Sequence, residues 1–369
     1  MSELYIGLMS GTSMDTTDAV LVDFGPHPPA LLATHAEPLA PALRQQLLAL
    51  CEKGDDELRR MAELDVTLGR LFAAAAKAVL AKSGIEASAV RAIGSHGQTV
   101  RHHPHGPTPF SVQIGDPNTI AEMTGIATVA DFRRRDIAAG GQGAPLVPAF
   151  HAAMFRALDH ERIILNLGGI ANITLLPGDA RAGIGGFDTG PANVLMDAWI
   201  AKHLGEPMDE GGRWAASGMV DSTLLSAMLA DPYFAMDPPK STGREYFNLN
   251  WIRRAIQQLK PAPSPADVQA TLAELTAASV ALAIATHAPA TDEVLVCGGG
   301  SRNGWLQARL RAWLQHCKVS STAEHGIPGQ WVEAMAFAWL ARQTLAGLPG
   351  NVPSVTGARQ PVVLGGIYR

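Results

Sequence analysis

Hydroxyl, amide and carboxylate groups gather at one turn near the start of the chain. Between two apolar runs, Leu4 to Leu8 and Ala19 to Phe24, lie Ser10, Gly11, Thr12, Ser13, Met14, Asp15, Thr16, Thr17 and Asp18. Glycine at 11 lets the backbone expose N–H groups, and the hydroxyls of Ser10, Thr12 and Ser13 add donors beside them. Such a hairpin tip suits phosphate oxygens, and Asp15 and Asp18 are placed to hold a magnesium ion directly or through water. The same residue types also build ordinary turns, so this segment alone leaves both readings open.

A second turn of this kind lies in RIILNLGGIANIT, where Gly168 and Gly169 bring amides forward and Asn172 adds a side-chain donor. A third glycine stretch, Gly298, Gly299 and Gly300, follows the apolar run EVLVC and precedes a helical pattern, which suits a nucleotide at a helix N-terminus. It lacks the spacing of a dinucleotide fingerprint, and no P-loop sequence occurs. Asp188 in GGFDTGPAN reads either as a helix cap or as a general base that takes a proton from water or a hydroxyl. Thr189 and Asn193 flank it as hydrogen-bonding candidates. Ser95, His96, Gln98 and Thr99 in GSHGQT form a polar lining at the end of a buried strand, suited to a hydroxyl-rich ligand. Asp131, Arg134 and Asp136 read as a structural ion network or as a grip on an anionic substrate. Glu333 lies on an otherwise apolar helix, which is costly unless its carboxylate has a partner or a ligand. His102, His103 and His105 sit in a proline-containing loop and read as solvated rather than metal-binding.

The elements that position these groups alternate between strand and helix. The opening hairpin is followed by helical pattern from Ala42 to Lys82, ended by Gly84, and by a buried strand from Val90 to Ser95. The second hairpin repeats the layout of the first, so two similar α/β halves are expected. The boundary is placed at 1–130 and 131–369, with the C-terminal segment as a candidate completion of the first half. Residues 204–250 show no dependable period, whereas Pro265 to Ala288 is a clear helix. A length of 369 residues fits two domains. With 47% hydrophobic and 17% charged residues and a mean hydropathy of +0.08, the composition is that of a soluble globular protein. A net charge of −5 and a pI near 6.2 argue against nucleic acid as a partner. The three cysteines lack metal or redox spacing, and no apolar leader or spanning run is evident, so a cytoplasmic protein without membrane partners is expected.

Taken together, MSGTSMD (9–15), GSHGQT (94–99), the block 113–146, NLGGIANIT (166–174), GFDTGPAN (186–193) and CGGGSRN (297–303) resemble the anhydro-N-acetylmuramic acid kinase family of the sugar kinase, Hsp70 and actin superfamily. The resemblance runs from end to end. It implies a two-domain actin-like ATPase (ribonuclease H-like) fold with ATP in an interdomain cleft, and a homodimer. Gly11 to Asp18 match the family's ATP-phosphate loop, with Asp15 toward Mg2+; Gly168, Gly169, Asn172, Gly298, Gly299, Gly300 and Asn303 complete the expected ATP contacts. His96, Gln98, Thr99, Asp116, Arg134 and Glu333 are expected around the sugar. Asp188 matches the family's general base, which activates water to open a 1,6-anhydro ring while the freed oxygen takes the γ-phosphoryl group of ATP. Many members of the wider superfamily carry Asp where this chain has Met9.

Rival readings are a kinase for another sugar or carboxylate, a nucleotide-driven binding module, and a glycoside hydrolase. No peptide-binding or DNA-binding appendage supports the second, and a hydrolase leaves two glycine hairpins unexplained.

Overall fold

A computed structural model describes residues 2–11, 14–179, 181–257 and 259–369. Thr12 and Ser13 of the expected phosphate loop lie outside the described residues. The chain forms two compact units: one runs to Met154 and resumes over Trp331–Arg369, and the other is Phe155–Gln330. The expected boundary at 130/131 is therefore displaced, because residues 131–154 pack with the first unit, to which residues 331–369 also return. Fully buried Asp136 ties them. Its carboxylate accepts from the Gly143 amide at 2.8 Å, from Asn351 Nδ2 at 2.7 Å and from the Thr356 hydroxyl at 2.8 Å.

In chain order the strands of the first unit are β1 (Leu4–Met9), β2 (Thr16–Asp23), β3 (Ala30–Pro38), β4 (Ala92–Ser95), β5 (Gln98–His103), β6 (Phe110–Ile114) and β7 (Thr128–Ala130). The second unit holds β8 (Arg162–Leu167), β9 (Ile170–Leu176), β10 (Gly185–Pro191), β11 (Glu293–Cys297) and β12 (Lys318–Ser321), and β13 (Gly366–Tyr368) returns to the first. The first sheet has the order β13-β7-β4-β1-β2-β3, and the second has β10-β9-β8-β11-β12. In each, three antiparallel strands form a meander whose first strand pairs in parallel with a later strand, which in turn pairs in parallel with another. This repeated α/β order is the organisation of the expected actin-like fold. The strands β5 and β6 form a separate ribbon.

The central strands are continuous apolar runs because both their faces are covered; every residue of β1, β4 and β11 is buried. On one face of the first sheet, the helix Glu57–Ser83 packs Leu64, Leu68, Phe72, Ala76 and Val79 against Ile6 and Leu8. On the other lies the helix Val332–Leu345. Its backbone comes so close that a Cβ added at Gly7 or Gly94 would sit 1.9 Å from the carbonyl oxygen of Ala334 or Phe337. Glycine at these two strand positions is thus what lets the C-terminal helix dock.

The second core is built round the helix Pro265–His287, which packs on β10 and on the helices Asn193–Leu204, Ser222–Leu229 and Gly304–Trp313. Its length and hydropathy would suffice to cross a membrane, yet 89% of its most apolar 18-residue stretch is buried within the protein. Glu274 on this helix is satisfied by Arg309 Nη2 and Trp313 Nε1, both at 2.8 Å. The stretch that lacked a period contains short helices Arg213–Ser217, Ser222–Leu229 and Leu249–Ile256, joined by a cluster of aromatic rings.

Candidate active site

The first turn joins β1 to β2 with Met9 opposite Asp18. Ser10 does not face outward as a phosphate donor: its buried hydroxyl donates to Gln98 Oε1 at 2.7 Å and to the Thr16 carbonyl at 3.1 Å. Thr17 is likewise buried, with its hydroxyl turned to the Glu37 carbonyl. Gly11 has no left-handed backbone angle, but a Cβ there would meet nothing within 4 Å, so the turn is open at this residue. Among the described residues of the turn, Met14 is left-handed, at φ 54°, with its side chain in the core. Asp15 is exposed and pairs with Arg44 at 3.2 Å. Asp18 is half-buried, accepts from the Thr16 hydroxyl at 3.0 Å, and burial pushes its carboxyl above the usual range. Among the described residues no cation is ion-paired with Asp18 and no cluster of three metal-ligating side chains occurs. Mg2+ needs only one or two carboxylates beside phosphate oxygens, so Asp18 and Asp15 fit that ion, with Asp18 the carboxylate whose charge is uncompensated.

Beyond the same sheet end, His96 is buried and its protonated form is strongly disfavoured by burial and by Arg133. Its Nδ1–H donates to the Gly97 carbonyl at 2.8 Å and its Nε2 accepts from Arg133 Nη2 at 2.8 Å, an arrangement that fixes the tautomer. Arg133 also donates to the Gly143 carbonyl at 2.8 Å, and burial lowers its pKa to about 10 against the opposing charges of Glu333 and Asp136. Glu333 thus has the opposite charge of Arg133 within electrostatic reach. Arg134, by contrast, is exposed and pairs with Asp131 at 3.2 Å, and Asp136 takes no part in that pair. Gln98 is spent on Ser10 and the Thr99 carbonyl, while Thr99 accepts from Gln113 at 3.1 Å. Asp116 is a helix cap rather than a free carboxylate. It accepts from the amides of Asn118 and Thr119, both at 3.0 Å, and from their side chains.

Asp188 is not a cap. The helix that follows starts at Asn193, and Ala192 is its N-cap residue. Asp188 lies on β10 beside an irregularity in the register that precedes Gly190, the kind of bulge that re-aims a side chain. It stands opposite Asn172 of β9, which stands opposite Asn166 of β8, so three polar side chains share one face of the sheet. Its carboxylate accepts from the Thr242 amide at 3.0 Å. Burial raises the Asp188 pKa to about 6, against that hydrogen bond and with a smaller push from Glu245. The expected partners go elsewhere: Thr189 donates to the Ala171 carbonyl at 3.3 Å, and Asn193 Nδ2 to the carbonyls of Leu167 and Gly168 at 3.1 and 2.8 Å.

Asn193 therefore pins the Gly168-Gly169 turn, whose carbonyls also accept the amides of Ala192, Asn193 and Val194. After β11, Gly298 takes φ +79° where a Cβ would lie 2.3 Å from Asn166 Oδ1. Gly299 meets open space and Gly300 packs under Leu167. Asn303 is buried, and its Oδ1 caps the helix Gly304–Trp313 through the Leu306 amide at 3.0 Å.

A profile of the family described as anhydro-N-acetylmuramic acid kinase matches residues 3–369. The chain belongs to that family. The relative of that name from Coxiella burnetii (strain RSA 493 / Nine Mile phase I) is 52% identical over 366 residues, covering 99% of this chain and 97% of its own. The one from Xanthomonas campestris pv. campestris (strain 8004) is 55% identical over 372 residues, covering 100% and 97%. Among solved structures, component A of the Acidaminococcus fermentans (R)-2-hydroxyglutaryl-CoA dehydratase aligns over 93% of this chain and 99% of that one, at 11% identity and a TM-score of 0.49. The sequence pattern favoured Arg134 over Arg133 and singled out neither Thr242 nor Glu245, which bear on Asp188. Helical spacing offered a signal for Arg133, since Phe132, Asp136 and Ile137 are buried and Arg134 and Arg135 are exposed. Thr242 acts through its amide, which no side-chain pattern encodes.

Proposed function

We propose that this chain uses ATP to open 1,6-anhydro-N-acetylmuramic acid and phosphorylate it to N-acetylmuramic acid 6-phosphate, with ADP as the second product. The observation that carries the mechanism is Asp188: a largely buried carboxylate, held at one oxygen by an amide, with a proton affinity suited to accepting a proton near neutrality. In this reading Asp188 removes a proton from water as the water oxygen bonds to the anomeric carbon. The bond from that carbon to the bridging oxygen breaks, and its electron pair stays with the oxygen on carbon six. That oxygen bonds to the γ-phosphorus, and the bond to ADP breaks. A carboxylate serves an inverting glycosidase in the same way.

Phosphoryl transfer itself asks mainly for position and charge neutralisation. The open backbone at Gly11 and the glycines Gly168, Gly169, Gly298 and Gly299 are the candidates for phosphate and nucleotide contacts. Mg2+, held by Asp18 and Asp15, would neutralise phosphate charge. Arg133, rather than Arg134, is the candidate for the carboxylate of the muramic acid, because it is half-buried and oriented by His96. His96, Gln98 and Thr99 support that lining by holding one another and their neighbours. The test is ADP release with 1,6-anhydro-N-acetylmuramic acid in 18O-labelled water: the label must appear on the anomeric carbon of the product. ATP turnover without sugar, or a product free of label, would overturn the reading.

A further inference from the structure

Between Asp231 and Phe247 the chain returns to Asp188 three times. The Tyr233 hydroxyl donates to the Asp188 backbone carbonyl at 2.8 Å. The Asp188 amide donates to the Lys240 carbonyl at 3.2 Å. The Thr242 amide donates to Asp188 Oδ2 at 3.0 Å. Main chain and carboxylate are both held, by a segment some fifty residues downstream.

The segment is itself braced. Lys240 is only 7% exposed, yet among the described residues it has no ion pair; its ammonium donates to the carbonyls of Tyr233 and Phe234, both at 3.3 Å. Burying a charge on such partners is costly. The reward is geometric, because the one residue joins the Tyr233 end to the Thr242 end. Asp231 anchors the start: it accepts from the Tyr233 amide at 2.9 Å, the Tyr246 hydroxyl at 2.7 Å and Trp251 Nε1 at 2.8 Å. The rings of Tyr233, Tyr246 and Phe247 pack with centroids 4.9–6.0 Å apart.

Resting on the reading of Asp188 as general base, we propose that residues 231–247 form a positioning strap, in which Tyr233 and Thr242 fix one carboxylate oxygen and the backbone of Asp188 so that Oδ1 is left for water. Among the described residues Thr242 is the one hydrogen-bond donor to the carboxylate. The charged and titratable groups that bear on Asp188 are Glu245, whose charge favours the protonated form, and Tyr233, which burial and Asp188 keep as a phenol. The Lys240 ammonium is engaged by carbonyls, and across the sheet Asn172 is uncharged. Tyr233 and Thr242 are positioning residues; burial sets the proton affinity of Asp188, and Glu245 adds a smaller push in the same direction.

The experiment compares pH profiles of kcat/KM for the full chain and three variants. Thr242→Pro removes the N–H that favours the carboxylate, so the acid limb should move to higher pH. Glu245→Gln removes a like charge, so the limb should move to lower pH, by roughly half a pH unit. Tyr233→Phe should lower kcat about 10-fold, the worth of one hydrogen bond, with KM for ATP unchanged. A merely structural strap would lower folded yield without moving the limb in opposite directions. If Thr242→Pro does not fold, Glu245→Gln and Tyr233→Phe decide. Acid limbs and kcat like those of the parent in every folded variant would overturn the strap. A fully active Asp188→Asn enzyme would overturn the general base instead, so the two failures are distinct.

Discussion

Replacing Asp188 by Asn should produce an enzyme that is slower and more stable at once. Asn keeps an oxygen that can accept the Thr242 amide but cannot take a proton from water. The loss of a positioned base is worth ~10²–10⁴-fold in rate, and ATP affinity should hold. The stability side follows from burial. Folding raises the carboxyl from its ordinary 3.8 to about 6, so the folded chain keeps its proton where the unfolded chain has lost it. Stability from this group is full below pH 3.8 and is lost as pH climbs through 6. That gap corresponds to roughly 3 kcal/mol at most, and solvent at a group not wholly buried reduces it to ~1–2 kcal/mol. In chemical denaturation at pH 8, Asp188→Asn should therefore exceed the parent by about that amount, and at pH 4 the two should converge. By thermal unfolding, each kcal/mol corresponds to about 2–4 °C for a unit of this size. The parent's kcat/KM should fall on acidification through pH 6. A variant that is fully active, or that is less stable than the parent at pH 8, would refute the reasoning that joins burial to basicity.

Gly11→Val should fold normally, since the added side chain meets open space, but should weaken ATP at least ~10-fold by occupying the approach of the phosphates; equilibrium binding of ATP checks it, and unchanged affinity would remove this turn from the site. Gly94→Val should cost the first unit ~3 kcal/mol or more, because its Cβ would sit 1.9 Å from the Phe337 carbonyl oxygen; urea unfolding measures this, and a loss under 1 kcal/mol would contradict the close docking of the C-terminal helix. Arg133→Met should raise KM for the anhydro sugar at least ~10-fold with KM for ATP unchanged, whereas Arg134→Met should change neither, and steady-state kinetics would expose the reverse pattern.

Continuous apolar runs made the central strands legible, because LYIGLM and EVLVC have no polar face to misplace. The matched hairpins likewise pointed to two similar α/β halves, and each half has its own sheet. The domain boundary was not legible, because it depends on Asp136 reaching Asn351 and Thr356 more than two hundred residues away. At the site, residue type alone does not say where a polar group is directed. Ser10, Gln98 and Asp116 carry suitable polar groups, but the fold spends them on one another or on backbone amides. The aromatic strap was hidden because its order comes from ring packing and main-chain hydrogen bonds rather than from a repeating pattern.

Docking of the helix Val332–Leu345 onto Gly7 and Gly94 also sets a timetable for synthesis. The strands β1 and β4 leave the ribosome early, while the helix that covers them is encoded after the entire second unit. At ~5–20 residues per second, an interval on the order of ten seconds or more separates Met154 from Trp331. Through that interval the second unit can complete itself, since it is one unbroken stretch of chain. The first waits with an apolar sheet face uncovered. Nascent chains stalled shortly before residue 331 should accordingly bind chaperones through the N-terminal half, and a protein shortened at its C-terminus should aggregate from that half while residues 155–330 remain folded.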